Sequence, residues 1–338
     1  MKKNLLKIHL ILSALSTTAF ATTAQKDKAF QIPNNWIFSL LEDRQELCSG
    51  SLVYIPKTGQ TVVATAHHCF STDAKESHNR IPGYAGGAMS VLVGTINNSF
   101  SKAVVFDTHI STSYWNAPLD IVLTKPLSYD KEKLPVLKLA AKLPNYGESI
   151  EFEGFPVNML LGTALRKHVT CRYLGPMEYP AIHNKVNTKF VILQAAACPY
   201  NEVAEGMSGG PVTNSKNQFI GLLSLKYNDS MLVRNNIVKS NESLILFSGV
   251  TEDLISPNYQ TGYNGVLNFK GKEFDQLLVF KSMGSKGPFG QNTFSVVPAL
   301  GKKINIDLTE GVYDGDLVTT YPNGQQVVVP FKEGHRSN

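Results

Sequence analysis

The chain has 338 residues, of which 43% are hydrophobic and 17% are charged, and its formal net charge is +5. This length exceeds the roughly 100–200 residues of a typical single domain, so we expect one large domain with an appendage. Residues 1–21 carry three lysines and no acid, which leaves the remainder at +2. A surface so close to neutral gives no reason to expect nucleic acid or an anionic membrane as a partner.

The first 21 residues have the pattern of a secretory signal peptide. Lysines at positions 2, 3 and 7 precede a mostly apolar run over 8–15, and Ala19-Phe20-Ala21 offers small residues for cleavage. The alternative is a short membrane anchor, but the apolar run is too short to cross about 30 Å of hydrocarbon. We therefore expect a periplasmic or secreted protein without a stable membrane anchor after cleavage.

Short apolar or alternating runs come next, separated by Gly, Pro, Asn, Asp and Ser, and this pattern is typical of strands and turns. They form two sets of six, separated by the Pro- and Lys-containing stretch 125–146. The expected fold is all-β, with two tandem six-stranded antiparallel β-barrels at about 30–125 and 146–255. The predicted strands are 36–41, 47–54, 61–66, 90–93, 103–107 and 121–123, then 149–155, 168–174, 190–194, 211–213, 219–225 and 244–250.

The composition shifts after Val250. Residues 256–263 are rich in Pro, Asn, Gly and Tyr, and strand-like runs return at 276–280, 303–308 and 326–331. We interpret residues 264–338 as a small β-rich C-terminal extension, for which the sequence indicates neither a role nor a partner.

Four cysteines, an even number in an exported protein, predict two disulfides. Three connectivities are possible; four unpaired thiols would be exposed to oxidation, and no Cys-x-x-Cys or His-x-x-x-His spacing favours a zinc site. We prefer nearest-neighbour pairing, because Cys48 ends an alternating run and Cys69 directly follows His68. A bridge between them would hold the His68 loop against the neighbouring strand, and the second bridge would join Cys171 to Cys198.

Three short strings occur in one order along the chain: Thr65-Ala66-His67-His68-Cys69, Leu119-Asp120-Ile121-Val122-Leu123 and Gly206-Met207-Ser208-Gly209-Gly210-Pro211. Together they supply a base, an orienting carboxylate and a nucleophile. Each has an ordinary alternative explanation, since Asp often initiates a strand and Ser between glycines often lies in a turn. The order His, Asp, Ser excludes the arrangements of α/β-hydrolases and of subtilisin-like enzymes.

With these strings in this order, the chain resembles the chymotrypsin-like (trypsin-like) serine endopeptidases over roughly residues 30–255. Gly154-Phe155-Pro156, the few cysteines and the lack of an Asp before Ser208 are more similar to the bacterial glutamyl-endopeptidase-like branch. The resemblance implies a trypsin-like serine protease domain over 22–255, peptide-bond hydrolysis through an acyl-enzyme and a protein or peptide substrate. It implies no metal or organic cofactor. The alternatives are a catalytically silent protease-like binding protein and an esterase with the same triad.

The resemblance also implies individual roles. Ser208 would be the nucleophile, and His68 rather than His67 the base, because the family's base directly precedes the cysteine. Asp120 would orient the imidazole. The main-chain N–H groups of Gly206 and Ser208 would form the oxyanion hole.

The substrate cleft is expected along Gly221-Leu222-Leu223-Ser224-Leu225. Ser224 matches the position whose hydroxyl supports the triad carboxylate, while Ser224, Leu225 and Lys226 would pair with the substrate backbone as an added strand. An ordinary central strand is the alternative.

Two residues give conflicting indications about specificity. Glu202 lies six residues before Ser208, where trypsins carry the acid that attracts Lys or Arg. Lys226, where the family often has Gly, would narrow the pocket or favour acidic side chains. Because an unpaired buried Glu202 is costly, the expectation leans to basic residues at the cleaved position.

Met207 stands where trypsin-like zymogens carry an acidic residue that captures a newly cut N-terminal amine. No Arg-Ile-Val-Gly-Gly-like cleavage site precedes Trp36. We therefore expect an oxyanion hole that forms without an N-terminal salt bridge, with Met207 packed in an apolar slot.

Overall fold

The computed structural model describes residues 37–40, 47–69, 88–94, 100–107, 114–116, 119–129, 136–158, 163–164, 167–182, 188–226, 232–233, 238–255, 272–274, 277–286, 292–299, 303–306, 308–309, 312–313, 315–320, 325–332 and 335–336. The chain divides into two compact units, residues 1–32 and 33–338. The first unit contains the predicted signal peptide and lies outside the described residues.

The protein is all-β, as predicted, and a single 3₁₀ turn at His67–Cys69 is the helical segment of its described part. No helix within the described ranges is long and apolar enough to span a membrane. The strands of the first half are β1 (Ile37–Leu40), β2 (Leu47–Cys48), β3 (Gly50–Ile55), β4 (Gln60–Thr65), β5 (Ala88–Gly94), β6 (Phe100–Asp107), β7 (Tyr114–Asn116), β8 (Ile121–Thr124), β9 (Pro126–Tyr129) and β10 (Leu137–Lys138).

The described residues of the second half form nine further strands, and those of the C-terminal region form another nine. The former are β11 (Ser149–Gly154), β12 (Val157–Asn158), β13 (Thr163–Ala164), β14 (Lys167–Ile182), β15 (Thr188–Pro199), β16 (Pro211–Asn214), β17 (Phe219–Lys226), β18 (Leu232–Val233) and β19 (Glu242–Gly249). The latter are β20 (Lys272–Phe274), β21 (Leu277–Lys286), β22 (Asn292–Ala299), β23 (Lys303–Ile306), β24 (Leu308–Thr309), β25 (Val312–Tyr313), β26 (Gly315–Thr320), β27 (Gln326–Lys332) and β28 (His335–Arg336).

Six strands of the second half close into an antiparallel barrel in the order β11-β16-β17-β19-β15-β14, with β14 pairing back to β11. The alternation of side chains along β11 shows why these residues form a barrel wall. Ile150 and Phe152 are completely buried, whereas Glu151 between them is partly exposed. Phe152 packs edge-on against Phe247 of β19, with ring centroids 5.7 Å apart. The core of this half therefore lies inside the closed barrel.

In the part of the first half that the structure describes, the strands form two five-stranded sheets, ordered β2-β1-β5-β6-β9 and β10-β3-β4-β8-β7. All six predicted strands of the first set are present in them. The pairings within the described residues do not close these sheets into a second barrel, so the two-barrel arrangement remains a prediction. Strands β4 and β8 are antiparallel, with Thr65 opposite Val122, and this register brings the turn that follows β4 next to the residue before β8.

The hairpin β14–β15 is longer than predicted, since its strands run over Lys167–Ile182 and Thr188–Pro199. Gly175 and the prolines of β14 resemble strand breakers in sequence, but a register shift between Tyr173 and Gly175 absorbs the irregularity. Beyond the shift, Met177 pairs in parallel with Leu278 of β21. The predicted C-terminal extension thus contributes strands to the same sheet as the barrel.

Candidate active site

His68 and Asp120 are joined by two hydrogen bonds. Nδ1 of the His68 ring lies 2.7 Å from Oδ2 of Asp120, and the main-chain N–H of His68 donates to Oδ1 over 2.8 Å. Because an ionised carboxylate only accepts hydrogen bonds, Nδ1 carries the ring proton and Nε2 is the basic nitrogen. The side chain of His68 is 42% exposed, so a reactant can approach the ring.

The local sequence explains why these two residues meet. β4 ends at Thr65 and turns at once into the 3₁₀ turn that holds His68, while Asp120 directly precedes β8. The N–H of His67 donates to the main-chain oxygen of Asp120 over 3.2 Å, which extends the β4–β8 pairing by one bond. Both hydrogen bonds to the Asp120 carboxylate from this turn come from His68, and the side chain of His67 takes no part in them.

Asp120 occupies a left-handed backbone conformation, with φ of 57°. Aspartate tolerates this region better than most residues, but the turn still needs support. The N–H of Leu119 donates to Oδ1 of the buried Asn116 over 2.9 Å, and the Ser248 hydroxyl donates to the oxygen of Leu119. Asn116 and Ser248 escaped the sequence analysis because neither belongs to a motif, and Ser248 lies on a distant strand.

Ser224 supports the carboxylate from the barrel side. Its hydroxyl donates to Oδ2 of Asp120 over 2.6 Å. The register of β17 against β19 shifts between Leu223 and Leu225, so Ser224 is the extra residue of a β-bulge. A bulge redirects a side chain out of the regular alternation, which here directs the hydroxyl at Asp120.

The charge state of Asp120 follows from these contacts. Burial by itself would raise the pKa of the carboxyl, but the attraction of His68 and the hydrogen bonds from His68 and Ser224 outweigh it. The pKa of Asp120 is therefore below its usual value of 3.8. Asp120 is ionised at neutral pH and can balance a positive charge on the imidazole.

Ser208 lies in a tight loop between β15 and β16, and the loop requires its glycines. Gly206 and Gly209 have φ of 88° and 77°, in the region that favours glycine. A Cβ on Gly209 would overlap the main-chain oxygen of Ser49 and lie 2.5 Å from Oγ1 of Thr65. The loop therefore packs directly on the segment that leads from β2 to β3 and on the end of β4.

The main-chain N–H groups of this loop fall into two classes. Those of Met207, Gly209 and Gly210 donate to main-chain oxygens over 3.3, 2.7 and 2.9 Å. Those of Gly206 and Ser208 donate to no acceptor in the part of the chain that the structure describes. Two unused donors flanking one residue are what an oxyanion-binding site requires.

Met207, between these two donors, is completely buried. It belongs to the apolar cluster inside the barrel, together with Phe152, Val212 and Phe247. The apolar slot that the sequence predicts for this residue is thus present, and the loop contains no acid at the position that trypsin-like zymogens use.

Two disulfides are present, and both follow the nearest-neighbour pairing that the sequence analysis preferred. Cys48 is bonded to Cys69, which ties the end of β2 to the turn that carries His68. Cys171 is bonded to Cys198, which joins β14 to β15 within the barrel. The described residues include no free cysteine.

The leaning to a basic specificity assumed that Glu202 is buried without a partner, and this premise does not hold, so the specificity stays a prediction. Glu202 is 49% exposed, and its carboxylate lies 2.6 Å from Nζ of Lys167. An exposed, paired carboxylate has no desolvation cost that a basic substrate residue must offset. Leu225 and Lys226 belong to β17, but their side chains lie outside the described residues.

A second cluster of charged residues lies on the barrel wall, where Glu151 and Glu153 of β11 face His168 of β14. Nδ1 of His168 is 2.9 Å from Glu153, and Nε2 is 3.6 Å from Glu151. The ligand atoms of the three residues lie within 4.8 Å of one another, a spacing that could hold a metal ion. The contacts with the Glu151 and Glu153 carboxylates raise the pKa of His168 to about 9, so at neutral pH the positively charged imidazolium lies between the carboxylates that would otherwise hold a metal ion.

Comparison with known proteins gives a family match. The family described as a trypsin-like peptidase domain matches residues 48–222, which is more than half of the chain and includes His68, Asp120 and Ser208. No curated protein sequence matches the chain.

Several solved structures resemble the chain distantly. The active form of the Rv3671c protease from M. tuberculosis is 17% identical, with a TM-score of 0.39 over 63% of this chain and 74% of that one. A Glu endopeptidase in complex with MPD is 14% identical, with a TM-score of 0.41 over 64% of this chain and 86% of that one. The MamO protease domain from Magnetospirillum magneticum is 15% identical, with a TM-score of 0.41 over 69% and 99%.

Proposed function

The chain belongs to the trypsin-like peptidase domain family, and we propose that it is an exported serine endopeptidase whose triad is Ser208, His68 and Asp120. The observation that carries the proposal is the 2.7 Å contact between His68 and Asp120, since it leaves Nε2 as the basic ring nitrogen. Its substrates are proteins or peptides. The two disulfides support a periplasmic or secreted location, because such bonds persist in oxidising compartments.

In the first half of the reaction, the Ser208 oxygen attacks the substrate carbonyl while its proton passes to Nε2 of His68. A serine hydroxyl is too weak an acid to attack without such a base. The imidazole becomes positively charged, and the ionised Asp120 stabilises it through the Nδ1–H bond. The negative charge on the former carbonyl oxygen is met by the N–H groups of Gly206 and Ser208.

The tetrahedral intermediate then collapses, and the carbon–nitrogen bond of the substrate breaks. His68 returns the proton to the leaving amine, and the acyl group remains as an ester on Ser208. A water molecule deprotonated by the same nitrogen cleaves the ester and restores the enzyme. Each oxyanion donor contributes about 3–4 kcal/mol to transition-state stabilisation in comparable enzymes.

Hydrolysis of casein by the purified, oxidised protein, followed by gel electrophoresis and peptide mass spectrometry, tests this proposal. We expect internal cleavage by the wild type and none by Ser208→Ala or His68→Ala. A protein that hydrolyses activated esters but leaves casein intact would be an esterase, and a protein without either activity would be a binding protein. Both results would overturn the proposal.

A further inference from the structure

Ser49 holds the main chain of the Ser208 loop at two points. Its hydroxyl donates to the carbonyl oxygen of Gly206 over 2.8 Å, and its own N–H donates to the carbonyl oxygen of Ser208 over 2.7 Å. The residue is 1% exposed, so water cannot replace these bonds. The two carbonyls flank Met207 and belong to the two residues whose N–H groups remain unused.

The remaining polar groups of Ser49 are also engaged. Its hydroxyl accepts a 3.0 Å hydrogen bond from the N–H of Phe155, and its carbonyl oxygen accepts a 2.9 Å bond from the hydroxyl of Thr65. Because the Phe155 amide is the donor in its bond, the Ser49 proton has to point at Gly206. The direction of the Ser49–Gly206 bond is therefore fixed by a third segment of the chain.

Close packing keeps this arrangement in place. A Cβ on Gly154 would lie 3.0 Å from Oγ of Ser49 and 2.8 Å from Cα of Met207. A Cβ on Gly209 would overlap the main-chain oxygen of Ser49. Gly154 thus packs against both Ser49 and the loop, and Gly209 packs directly on the Ser49 main chain. Rotation of the peptide group after Gly206 or after Ser208 would break a buried hydrogen bond.

We propose that Ser49 is a positioning residue of the oxyanion hole, an inference that rests on the proposed function. By fixing the carbonyls of Gly206 and Ser208, it holds the segment 206–208 in the conformation in which the N–H groups of Gly206 and Ser208 have no internal acceptor. The apolar side chain of Met207 cannot fix the loop through an ion pair, so the hydrogen bonds from Ser49 fix the loop conformation instead. Cys48, which directly precedes Ser49, forms a disulfide with Cys69 and so connects this segment to the His68 turn.

Ser49→Ala tests the proposal, and the chain offers a matched control two residues away. Ser51 lies on β3, is completely buried, and its hydroxyl has no hydrogen-bond partner among the described residues. Both variants remove one buried hydroxyl from the same stretch of chain, but only Ser49→Ala releases the Gly206 carbonyl. The probe is a fluorogenic peptide selected from a library with the wild type, and kcat is expressed per Ser208 titrated with a fluorophosphonate.

We expect kcat of Ser49→Ala to fall about tenfold or more while KM changes less than about twofold, because the loss affects the transition state rather than ground-state binding. Affinity for a peptide aldehyde, whose hemiacetal oxygen needs the same donors, should fall with kcat. Ser51→Ala should retain kcat and KM. Equal kcat in Ser49→Ala and wild type would overturn the inference alone, whereas an inactive wild type would overturn the proposed function.

Loss of the acceptor for Phe155 will also lower stability, so folding is checked by circular dichroism below the melting temperature. If Ser49→Ala does not fold, the nearly isosteric pair Ser49→Thr and Ser49→Val replaces it, because both add the same bulk and only threonine keeps the hydroxyl. A kcat for the threonine variant about tenfold above that for the valine variant supports the positioning role. Equal values contradict it.

Discussion

Ser224 and Asp120 lie 104 residues apart in the sequence, yet the Ser224 hydroxyl donates a 2.6 Å hydrogen bond to Oδ2 of Asp120. The same oxygen contacts Nδ1 of His68 at 2.7 Å. Asp120 precedes β8 of the first half, and Ser224 is the bulged residue of β17 in the closed barrel. The carboxylate therefore has partners from both halves of the molecule.

Replacing Ser224 by alanine should reduce kcat about tenfold, because a hydrogen bond to an ionised group is lost and the carboxylate orients His68 less well. The pKa of Asp120, now below its usual value, should move upward. A carboxyl whose pKa is lower in the folded protein than in the unfolded chain stabilises the fold at pH above its unfolded-state pKa. This stabilisation is lost as the pH falls through its folded-state pKa. Acid unfolding of Ser224→Ala, followed by tryptophan fluorescence, should accordingly begin at a higher pH than in wild type. Coincident acid transitions would contradict this role for Ser224.

Asn116→Ala should weaken the turn that presents Asp120. The N–H of Leu119 would lose its acceptor, and an unsatisfied buried donor costs about 1–3 kcal/mol of unfolding free energy. Because Asp120 is in a left-handed conformation, loosening this turn should also lower kcat. Asn145→Ala is the control, since that exposed amide bonds only Glu148 in the described contacts. Urea unfolding and kcat measurements should separate the two variants, and equal stabilities would be evidence against the role of Asn116.

Met207 should accept an apolar replacement but not a charged one. Met207→Leu keeps the volume and apolar character of a completely buried side chain and should cost less than about 1.5 kcal/mol. Met207→Asp would place an unpaired carboxylate in the barrel cluster and should abolish folding or activity. Thermal unfolding and casein hydrolysis provide the readouts. An active Met207→Asp protein would mean that a cation reaches this slot.

His168 should make stability depend on pH in the alkaline range. The contacts with the carboxylates of Glu151 and Glu153 raise its pKa from 6.5 to about 9, so the folded protein binds the proton more tightly than the unfolded chain. The stabilisation is complete below pH 6.5 and is lost as pH rises through about 9. We expect roughly 1–3 kcal/mol of unfolding free energy to disappear over this window. In His168→Gln the corresponding fall should be absent, and equal slopes in both proteins would refute the assignment.

The strand pattern was largely predictable because alternation and turn residues are local properties. All twelve predicted strands of the two main sets occur, and β11 shows the alternation of buried and exposed residues that reveals them. The length of β14 was not predictable in the same way. Gly175 and the prolines of β14 predict that the strand ends there, whereas pairing with β15 and β21 extends it to Ile182.

The residues of the candidate site also differ in how well the sequence predicts them. His68, Asp120 and Ser208 stand in short strings whose residue types have a chemical meaning, so sequence alone could single them out. Ser49, Asn116 and Ser248 act through contacts with main-chain atoms, which for Ser49 and Ser248 belong to distant segments. Since such contacts place few demands on the neighbouring sequence, only the fold reveals them. The exposure of Glu202 and its pairing with Lys167, 35 residues away in the sequence, likewise appear only in the fold.

Covalent labelling decides whether Ser208 is a nucleophile activated by His68. Purified oxidised protein is treated with a fluorophosphonate, digested and mapped by mass spectrometry, with Ser208→Ala and His68→Ala treated in parallel. We predict one phosphonylated peptide containing Ser208 in the wild type and labelling reduced at least about a thousandfold in both variants. Wild-type protein that stays unlabelled, or a label on another serine, would show that Ser208 is not the activated nucleophile.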